Sequence, residues 1–272
     1  MKINLDNTQI HYNIYGSGTA VLMIHGFTPD HRLMKGCLEP VFDGKRGYKR
    51  IYFDLPGMGK TRRYEQISTT DEMLEAVLFF IDEVIGDEPF IIIGESYGGY
   101  LARGVIAKRK EQIIAAAFIC PLINPNERSL PPHFICERDE EFLTQLSQED
   151  RINFEKVCVV LNEHTWNRYR DEILAGCKLA DHPFLEKIRM NYAFSYDIDS
   201  KVGSFDEPTL FLLGKQDSIT GYEDAFNILS QFPRATFAVL DQAGHNLQIE
   251  QEGLFHSLVE EWLKRVSNRP SV

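Results

Sequence analysis

The sequence predicts an α/β protein in which a mostly parallel sheet is flanked by helices, with a helical insertion between two of its strands. Short apolar runs alternate with segments of helical periodicity, which is the order of a parallel sheet covered on both faces. One region, from about residue 124 to residue 203, breaks that alternation. The length of 272 residues is enough for a large core that carries such an insertion.

The strands are predicted from short apolar runs bounded by turn residues. Residues 3–15 form two strands around a turn at 6–8, and the sequence Gly-Ser-Gly at 16–18 then breaks the chain. The later strands are predicted at 20–24, 50–53, 90–93, 115–120, 208–213 and 235–240.

The helices are predicted between these strands. The first candidate covers 30–42, and the second begins at Thr69, which has capping-box spacing with Glu72. A third runs from Tyr97 to about Lys110. The helices after the insertion are predicted from their inward-facing residues, which are Ala225, Ile228 and Leu229, and then Leu254, Leu258, Trp262 and Leu263.

The insertion is charged, aromatic and helical in pattern, and no strand in it is convincing. We therefore expect residues 1–123 and 204–272 to form the core, and residues 124–203 to form a helical cap. The acidic run at 137–141 is interpreted as a solvated helix face, or alternatively as carboxylates that hold a substrate amine. Some cap aromatics should line a pocket between cap and core, which favours a small and largely apolar acyl or alcohol group.

The most specific motif is Gly-Glu-Ser-Tyr-Gly-Gly at 94–99, which follows an apolar strand and opens a helix. Such a tight strand-to-helix turn leaves room only for small residues two positions before and two positions after the serine, and Gly94 and Gly98 meet that demand. The motif therefore predicts that Ser96 is a nucleophile at the carboxyl end of a strand.

An aspartate and a histidine follow two later strands. Asp217 comes just after the strand at 208–213, and His245 comes just after the strand at 235–240. The carboxyl ends of parallel strands share one edge of a sheet, so both side chains should approach Ser96. The sequence predicts a catalytic triad in the order Ser96, Asp217, His245, in which the histidine is the base and the aspartate orients it.

Attack on a carbonyl group also requires two N–H donors for the oxyanion. The backbone N–H of Tyr97, directly after the nucleophile, is one candidate. The other is the backbone N–H of Phe27, in the His-Gly-Phe segment at 25–27 after an early strand.

With these features the chain resembles the α/β-hydrolase superfamily, in the group that carries an inserted helical cap. The resemblance covers nearly the whole chain, and its landmarks are His-Gly-Phe at 25–27, Asp-Leu-Pro-Gly-Met-Gly at 54–59, the serine motif at 94–99, Gly-Lys-Gln-Asp at 214–217 and Gly-His at 244–245. It implies an α/β-hydrolase fold and a triad mechanism, and it implies no particular substrate.

Composition excludes several other classes. The net charge of −11 argues against binding to nucleic acid or to anionic membrane surfaces, and no apolar run is long enough to span a bilayer. The five cysteines form no Cys-x-x-Cys pair and no signal peptide is recognised, which predicts free thiols and a cytoplasmic location. Gly-Lys-Thr at 59–61 lacks the earlier glycine of a phosphate-binding loop, since Asp54 stands there.

The sequence thus predicts a serine hydrolase that cleaves a small carboxylic ester or related acyl substrate and needs no metal or organic cofactor. A serine nucleophile argues against dehalogenases and epoxide hydrolases, which use aspartate there. A prolyl-type aminopeptidase and a C–C bond hydrolase remain open as alternatives, and so does a cofactor-free lyase. An alternative of another class is a ligand sensor or interaction protein with little turnover. A small-molecule substrate is the expected partner, and the oligomeric state is left open.

Overall fold

The computed structural model of the protein describes residues 1–5 and 8–268. Its strands are β1 (Lys2–Leu5), β2 (Thr8–Tyr15), β3 (Gly18–Ile24), β4 (Gly47–Phe53), β5 (Phe90–Glu95), β6 (Ile113–Ile119), β7 (Glu137–Arg138), β8 (Val160–Leu161), β9 (Thr209–Gly214) and β10 (Ala235–Leu240). The strands predicted from the sequence are present with small shifts at their ends. Two residues of the predicted first turn, Asp6 and Asn7, lie outside the described residues.

Eight of these strands form one sheet in the order β1-β2-β4-β3-β5-β6-β9-β10. The pairs β1–β2 and β2–β4 are antiparallel, and the remaining neighbours are parallel. The mostly parallel sheet confirms the predicted fold class. Because β3, β5, β9 and β10 run in the same direction, their carboxyl ends lie at one edge, which is the edge that carries the candidate site.

Helices cover both faces of the sheet. On one face lie α2 (Thr70–Val84) and α3 (Tyr97–Arg109), and on the other lie α1 (His31–Phe42) and α12 (Glu252–Ser267), the last helix of the described residues. The predicted capping box of α2 is present, since the Thr69 hydroxyl accepts from Glu72 N–H and the Glu72 carboxylate accepts from Thr69 N–H, both at 3.2 Å. These caps satisfy N–H groups that the helix itself cannot.

The central strand β5 explains why the sheet needs helices on both faces. All of its residues are buried. Phe90 and Ile92 belong to one apolar cluster, and Ile91 and Ile93 belong to the cluster on the opposite face. Successive side chains of a strand point to opposite sides, so a continuous apolar run requires two packed layers.

The segment between β6 and β9 leaves the sheet. Its helical elements are α4 (Glu140–Leu143), α5 (Gln148–Val157), α6 (Glu163–Arg168), a π-helical turn (Tyr169–Leu174), α7 (Ala175–Cys177), α8 (His182–Arg189) and α9 (Ile198–Val202). Two short elements follow after β9, namely α10 (Glu223–Asn227) and α11 (Leu247–Glu250). None of the helices in the described ranges combines the length and the apolar composition needed to span a bilayer.

Two expectations for this segment are wrong in detail. A short parallel pair, β7 with β8, is present where the sequence shows no convincing strand. The acidic run at 137–141 is divided, because Glu137 and Arg138 belong to β7 and α4 starts only at Glu140. The Asp139 carboxylate accepts from Phe142 N–H and so caps the start of that helix. Strands of two residues are too short to show a periodic pattern.

Asp54 organises the loop after β4, beside the first turn of α1. Its carboxylate accepts the N–H of His31 at 3.0 Å, the N–H of Lys60 at 2.8 Å, and the Nδ1–H groups of His31 and His11 at 2.6 and 3.1 Å. Burial raises the pKa of Asp54, but the hydrogen bonds from the two histidines outweigh it and hold that pKa well below the usual range.

Replacement of Asp54 by asparagine should therefore destabilise the fold. The amide keeps the volume but turns an NH₂ group toward donors, so we expect a loss of about 2–4 kcal/mol in the free energy of unfolding. The native pKa lies below the unfolded value of about 3.9, so the stabilisation is present above that pH and is lost as the pH falls further. Urea unfolding at pH 7 and pH 3 measures both effects.

The matched control is Asp43→Asn, at an exposed aspartate that follows α1. We expect its unfolding free energy to equal that of the wild type at both pH values. Equal unfolding free energies of the Asp54 and Asp43 variants at pH 7 would contradict the stabilising role of the Asp54 hydrogen bonds.

Candidate active site

Ser96 occupies the sharp turn between β5 and α3. Its backbone has φ 53° and ψ −119°, in a region that residues other than glycine rarely adopt. A Cβ atom on Gly98 would lie 2.1 Å from the carbonyl oxygen of Ile24, and one on Gly94 would lie 2.4 Å from the carbonyl oxygen of Gly98. Both glycines are therefore required by close backbone contacts, as the motif predicts.

Asp217 lies just beyond β9 and is fully buried. Its Oδ1 accepts the N–H groups of Ile219 and Thr220 at 2.8 and 3.0 Å, and its Oδ2 accepts the Thr220 hydroxyl at 2.7 Å. Burial opposes ionisation, but the charge of His245 and these hydrogen bonds keep the pKa of Asp217 below its ordinary value. The carboxylate is thus ionised and held in one orientation.

His245 follows β10 and directs its two ring nitrogens at two different carboxyl groups. Its Nδ1–H donates to Oδ2 of Asp217 at 2.9 Å, while its Nε2 lies 3.4 Å from Oε1 of Glu95. Burial would lower the pKa of His245, but the carboxylates of Asp217 and Glu95 raise it. The Ser96 hydroxyl makes no hydrogen bond within residues 1–5 and 8–268, and Glu95 lies within ion-pair distance of Nε2 of His245.

A second buried glutamate stabilises the loop after β10, which carries His245. Glu250 accepts the N–H of Gly244 at 2.6 Å with Oε2, and the N–H of Val159 at 2.6 Å with Oε1. Gly244 directly precedes His245, and Val159 belongs to the segment between β6 and β9. One side chain therefore connects that segment to the loop that carries the histidine.

The amides of Phe27 and Tyr97 lie beside Ser96. Tyr97 is the first residue of α3, where no helical carbonyl can accept its N–H. The Phe27 N–H has no hydrogen-bond partner in the part of the chain that the structure describes. The preceding Gly26 lies so near Ser96 that a Cβ on it would be 3.2 Å from the serine Cβ.

His25 stabilises the loop that carries Phe27 through two hydrogen bonds. Its Nδ1–H donates to the carbonyl of Gly26 at 2.8 Å, and its Nε2 accepts the N–H of Leu55 at 3.0 Å. Burial lowers the pKa of this ring, so it stays neutral and can use one nitrogen as a donor and the other as an acceptor. The loop is thus tied to the neighbouring one after β4.

A cavity of about 1240 Å³ opens above Ser96 and His245. The segment between β6 and β9 contributes aromatic and aliphatic walls, among them Tyr169, Ile173, Leu174 and Tyr192. It also contributes basic side chains, which are Arg128, Lys156, Lys178 and Arg189. The Arg128 guanidinium donates to the carbonyl oxygen of Ile219 at 3.0 Å and forms no ion pair among the described residues.

Ordinary hydrogen bonds account for the two groups of side chains that are close enough to hold a metal ion. Asp54 already accepts donors from both histidines of the first group, and Asp217 accepts from the histidine of the second. The thiol in the second group has a pKa raised well above its usual value by burial, so it stays protonated. These groups are His11, His31 and Asp54, and Cys120, Asp217 and His245.

The structure places Ser96, Asp217, His245, Phe27 and Tyr97 at the carboxyl edge of the sheet, and their catalytic roles stay predictions. The sequence does not indicate the contacts of Thr220, Glu250 and Glu95 with this group. Glu95 could have been noticed, because a carboxyl next to a predicted nucleophile is unusual in an otherwise apolar strand.

The chain is similar to several known proteins. A family model described as serine aminopeptidase, S33, matches residues 18–252. The chain is 24% identical over 270 residues to 2-hydroxy-6-oxononadienedioate/2-hydroxy-6-oxononatrienedioate hydrolase 2 of Pseudomonas putida, with 94% of this chain and 92% of the relative covered. It is 22% identical over 267 residues to the pimeloyl-(acyl-carrier protein) methyl ester esterase of Legionella pneumophila (strain Corby), with 94% and 99% covered.

Among solved structures, the chain is similar to an alpha/beta superfamily hydrolase from Oenococcus oeni PSU-1. The TM-score is 0.89 at 26% identity, and the match covers 98% of this chain and 100% of that one. A thermophilic esterase from Thermogutta terrifontis has the same fold, with a TM-score of 0.73 at 18% identity over 98% and 99% of the two chains.

Proposed function

The chain belongs to the serine aminopeptidase S33 family of α/β hydrolases, and on that premise we propose that Ser96 is the nucleophile of a hydrolase acting on a small carboxylic ester or related acyl compound. The observation that carries the proposal is the cavity floor, where the strained turn of Ser96 lies beside the hydrogen-bonded pair of Asp217 and His245. Because the chain belongs to a family of hydrolases, the protein is an enzyme. A small-molecule substrate fits its cavity.

The proposed mechanism assigns one role to each group. His245 removes the proton of Ser96 as its Oγ attacks the carbonyl carbon, and Asp217 stabilises the imidazolium that forms. The N–H groups of Phe27 and Tyr97 donate to the oxyanion. His245 then protonates the leaving alcohol, and water releases the acid from Ser96 by the same steps.

The substrate is proposed to lie between the core and the cap, which we assign to residues 124–203. The aromatic and aliphatic wall around Tyr169, Ile173 and Tyr192 suits an apolar acyl or alcohol group. Phe27, in the proposed oxyanion loop, packs edge-on against Tyr192 at 5.1 Å between ring centroids, so the cap and the loop form one continuous surface.

Cleavage of a C–C bond is the second candidate, and Arg128 favours it. This guanidinium lies at the cavity without a carboxylate partner in the described residues, and its charge acts on His245. The Pseudomonas putida relative is named for a dienedioate, a substrate with two carboxylates. An aminopeptidase would instead need acidic groups for the substrate ammonium, and the cavity lining contains both acidic side chains, Asp71 and Glu149, and basic ones.

A fluorophosphonate probe tests the proposal. The native wild type should be labelled at one peptide, which contains Ser96, and heat-unfolded protein should not be labelled. Nitrophenyl esters, aminoacyl anilides and ring-cleavage diketones then compare the candidate reactions, and we expect the esters to be cleaved fastest. A native protein that neither reacts with the probe nor cleaves any of these compounds would be a binding protein.

Thr220 should affect catalysis through Asp217. Valine at this position keeps the shape but removes the hydroxyl that donates to Oδ2 of Asp217 at 2.7 Å. One hydrogen bond to a charged group is worth about 1.5–3 kcal/mol, so kcat should fall by roughly ten- to a hundredfold with little change in KM. Thr236→Val, on β10 away from the cavity, is the control and should keep full kcat. Normal kcat in Thr220→Val would contradict the role of the Thr220 hydroxyl in holding Asp217.

We also propose a cytoplasmic location. The support is chemical, since all five cysteines are free and three of them, Cys37, Cys120 and Cys158, are buried. Reduced thiols are the usual state in a reducing compartment.

A further inference from the structure

Glu95, the last residue of β5, is a buried carboxyl group that the proposed mechanism does not use. Its side chain is 2% exposed. Oε1 lies 3.4 Å from Nε2 of His245, and Oε2 has no hydrogen-bond partner in the described chain. A Cβ atom on Gly26 would lie 2.2 Å from Oε2, so the glycine of the predicted oxyanion loop leaves the space that this carboxyl occupies.

The contact requires one proton between the two groups. Nδ1 of His245 already carries a proton, which it donates to Asp217. If Glu95 were ionised and Nε2 were bare, a carboxylate oxygen would lie 3.4 Å from a nitrogen lone pair, which is repulsive. A proton on either Nε2 or Glu95 removes that repulsion, so the pair holds one proton in common.

The surroundings favour a protonated pair. Burial raises the pKa of Glu95, and the charge of His245 opposes this. Asp217 raises that pKa further and the nearby backbone N–H of Gly26 lowers it, with a net rise to about 7. The pKa of His245 is raised by the same two carboxylates.

Other titratable groups near the pair do not supply the proton. Arg128 is the remaining charge that acts on His245, and it lowers the pKa of the ring. The charge of Glu95 acts on four further groups, and burial raises the pKa of each, so that all four are neutral near pH 7. They are the thiols of Cys37, Cys120 and Cys177 and the phenol of Tyr192.

We propose that Glu95 is a positioning residue that shares one proton with Nε2 of His245 and thereby sets the pH above which the imidazole can accept the proton of Ser96. This inference rests on the proposed function of Ser96. While the proton is on Nε2, that nitrogen is occupied and Ser96 keeps its own proton. When the proton moves to Oε1 of Glu95 or leaves to solvent, the free lone pair of Nε2 takes the serine proton and later passes it to the leaving group.

The pH dependence of fluorophosphonate labelling tests this role. We expect the acid limb of the rate profile to lie above the ordinary histidine value of about 6.5 in the wild type, and to move down by at least about one pH unit in Glu95→Gln. Glutamine has nearly the same volume but never ionises, so Nε2 then experiences a single carboxylate. On the acid limb this shift corresponds to about tenfold faster labelling relative to the plateau.

Two further variants separate charge from packing. Glu95→Met also removes the charge at similar volume and should move the limb in the same direction, even if it changes the plateau rate. Glu39→Gln makes the same change at a carboxyl group that is bonded to Arg50 and Tyr52, and should leave the inflection in place. An unmoved inflection in both Glu95 variants, or an equal movement in Glu39→Gln, would overturn the assignment.

A measurement without catalysis keeps the two proposals apart. The ring ¹⁵N resonances of His245 report its protonation directly, and we expect its titration to move to lower pH in Glu95→Gln. If the native wild type fails to label at any pH while this titration shifts, the function of Ser96 fails and the shared proton stands. If labelling succeeds and neither the titration nor the inflection moves, the shared proton fails alone.

Discussion

Replacement of Ser96 by alanine should lower kcat by about 10⁵–10⁶-fold and abolish fluorophosphonate labelling. The serine oxygen is the atom that would form the covalent bond. The backbone at φ 53° is strained for alanine as it is for serine, so the variant should fold with nearly the same stability. Steady-state hydrolysis of a nitrophenyl ester and intact-protein mass spectrometry measure the two effects.

Ser257→Ala is the matched control for this experiment. Ser257 lies on α12 and is exposed, and within the described residues its hydroxyl donates only to the carbonyl of Gly253 in the same helix. We expect this variant to keep the activity and the labelling of the wild type. Labelling that persists in Ser96→Ala would assign the nucleophile to another residue.

Replacement of Asp217 by asparagine should lower kcat by about 10⁴-fold while the fold is retained. Asparagine can still accept the N–H groups of Ile219 and Thr220, but its NH₂ group cannot accept the Nδ1–H of His245. The ring would then carry its proton on Nε2, which can no longer act as a base toward Ser96. Loss of this carboxylate also removes the main charge that raises the pKa of His245.

The control for this change is Asp241→Asn. Asp241 also follows a strand directly, but it is exposed and its carboxylate accepts from the side chain of Gln216. We expect its kcat to be unchanged. Near-normal kcat in Asp217→Asn would mean that another carboxylate orients His245. The loop after β6 cannot supply that carboxylate, because its sequence at 122–124 is Leu-Ile-Asn.

The residues that form the candidate site were predictable because each lies at a strand end that the sequence marks. Apolar runs identified β5, β9 and β10, and the residue types that follow them identified Ser96, Asp217 and His245. The supports were not predictable, because they join distant parts of the chain. Glu250 connects Gly244 to Val159, and nothing next to Glu250 in the sequence indicates either partner.

The segment between β6 and β9 shows the same difference at larger scale. Its aromatic and charged residues predicted helices and a pocket wall, but not the short pair of β7 with β8. They also did not indicate that Arg128 reaches the carbonyl of Ile219, beside the loop that carries Asp217. Short helices can pack against a core in many ways, and the pattern of one helix does not select among them.

The sequence by itself determined the fold class, the position of the turn at Ser96 and the chain order of the three residues predicted as a triad. These features follow from local sterics, since a side chain at Gly94 or Gly98 would collide with backbone atoms, and from the shared edge of parallel strands. Only the tertiary structure decided which charges surround the imidazole. The carboxyl group of Glu95 faces Nε2 because β5 and the loop after β10 meet in space, and the protonation of a buried group depends on such neighbours and not on adjacent residues.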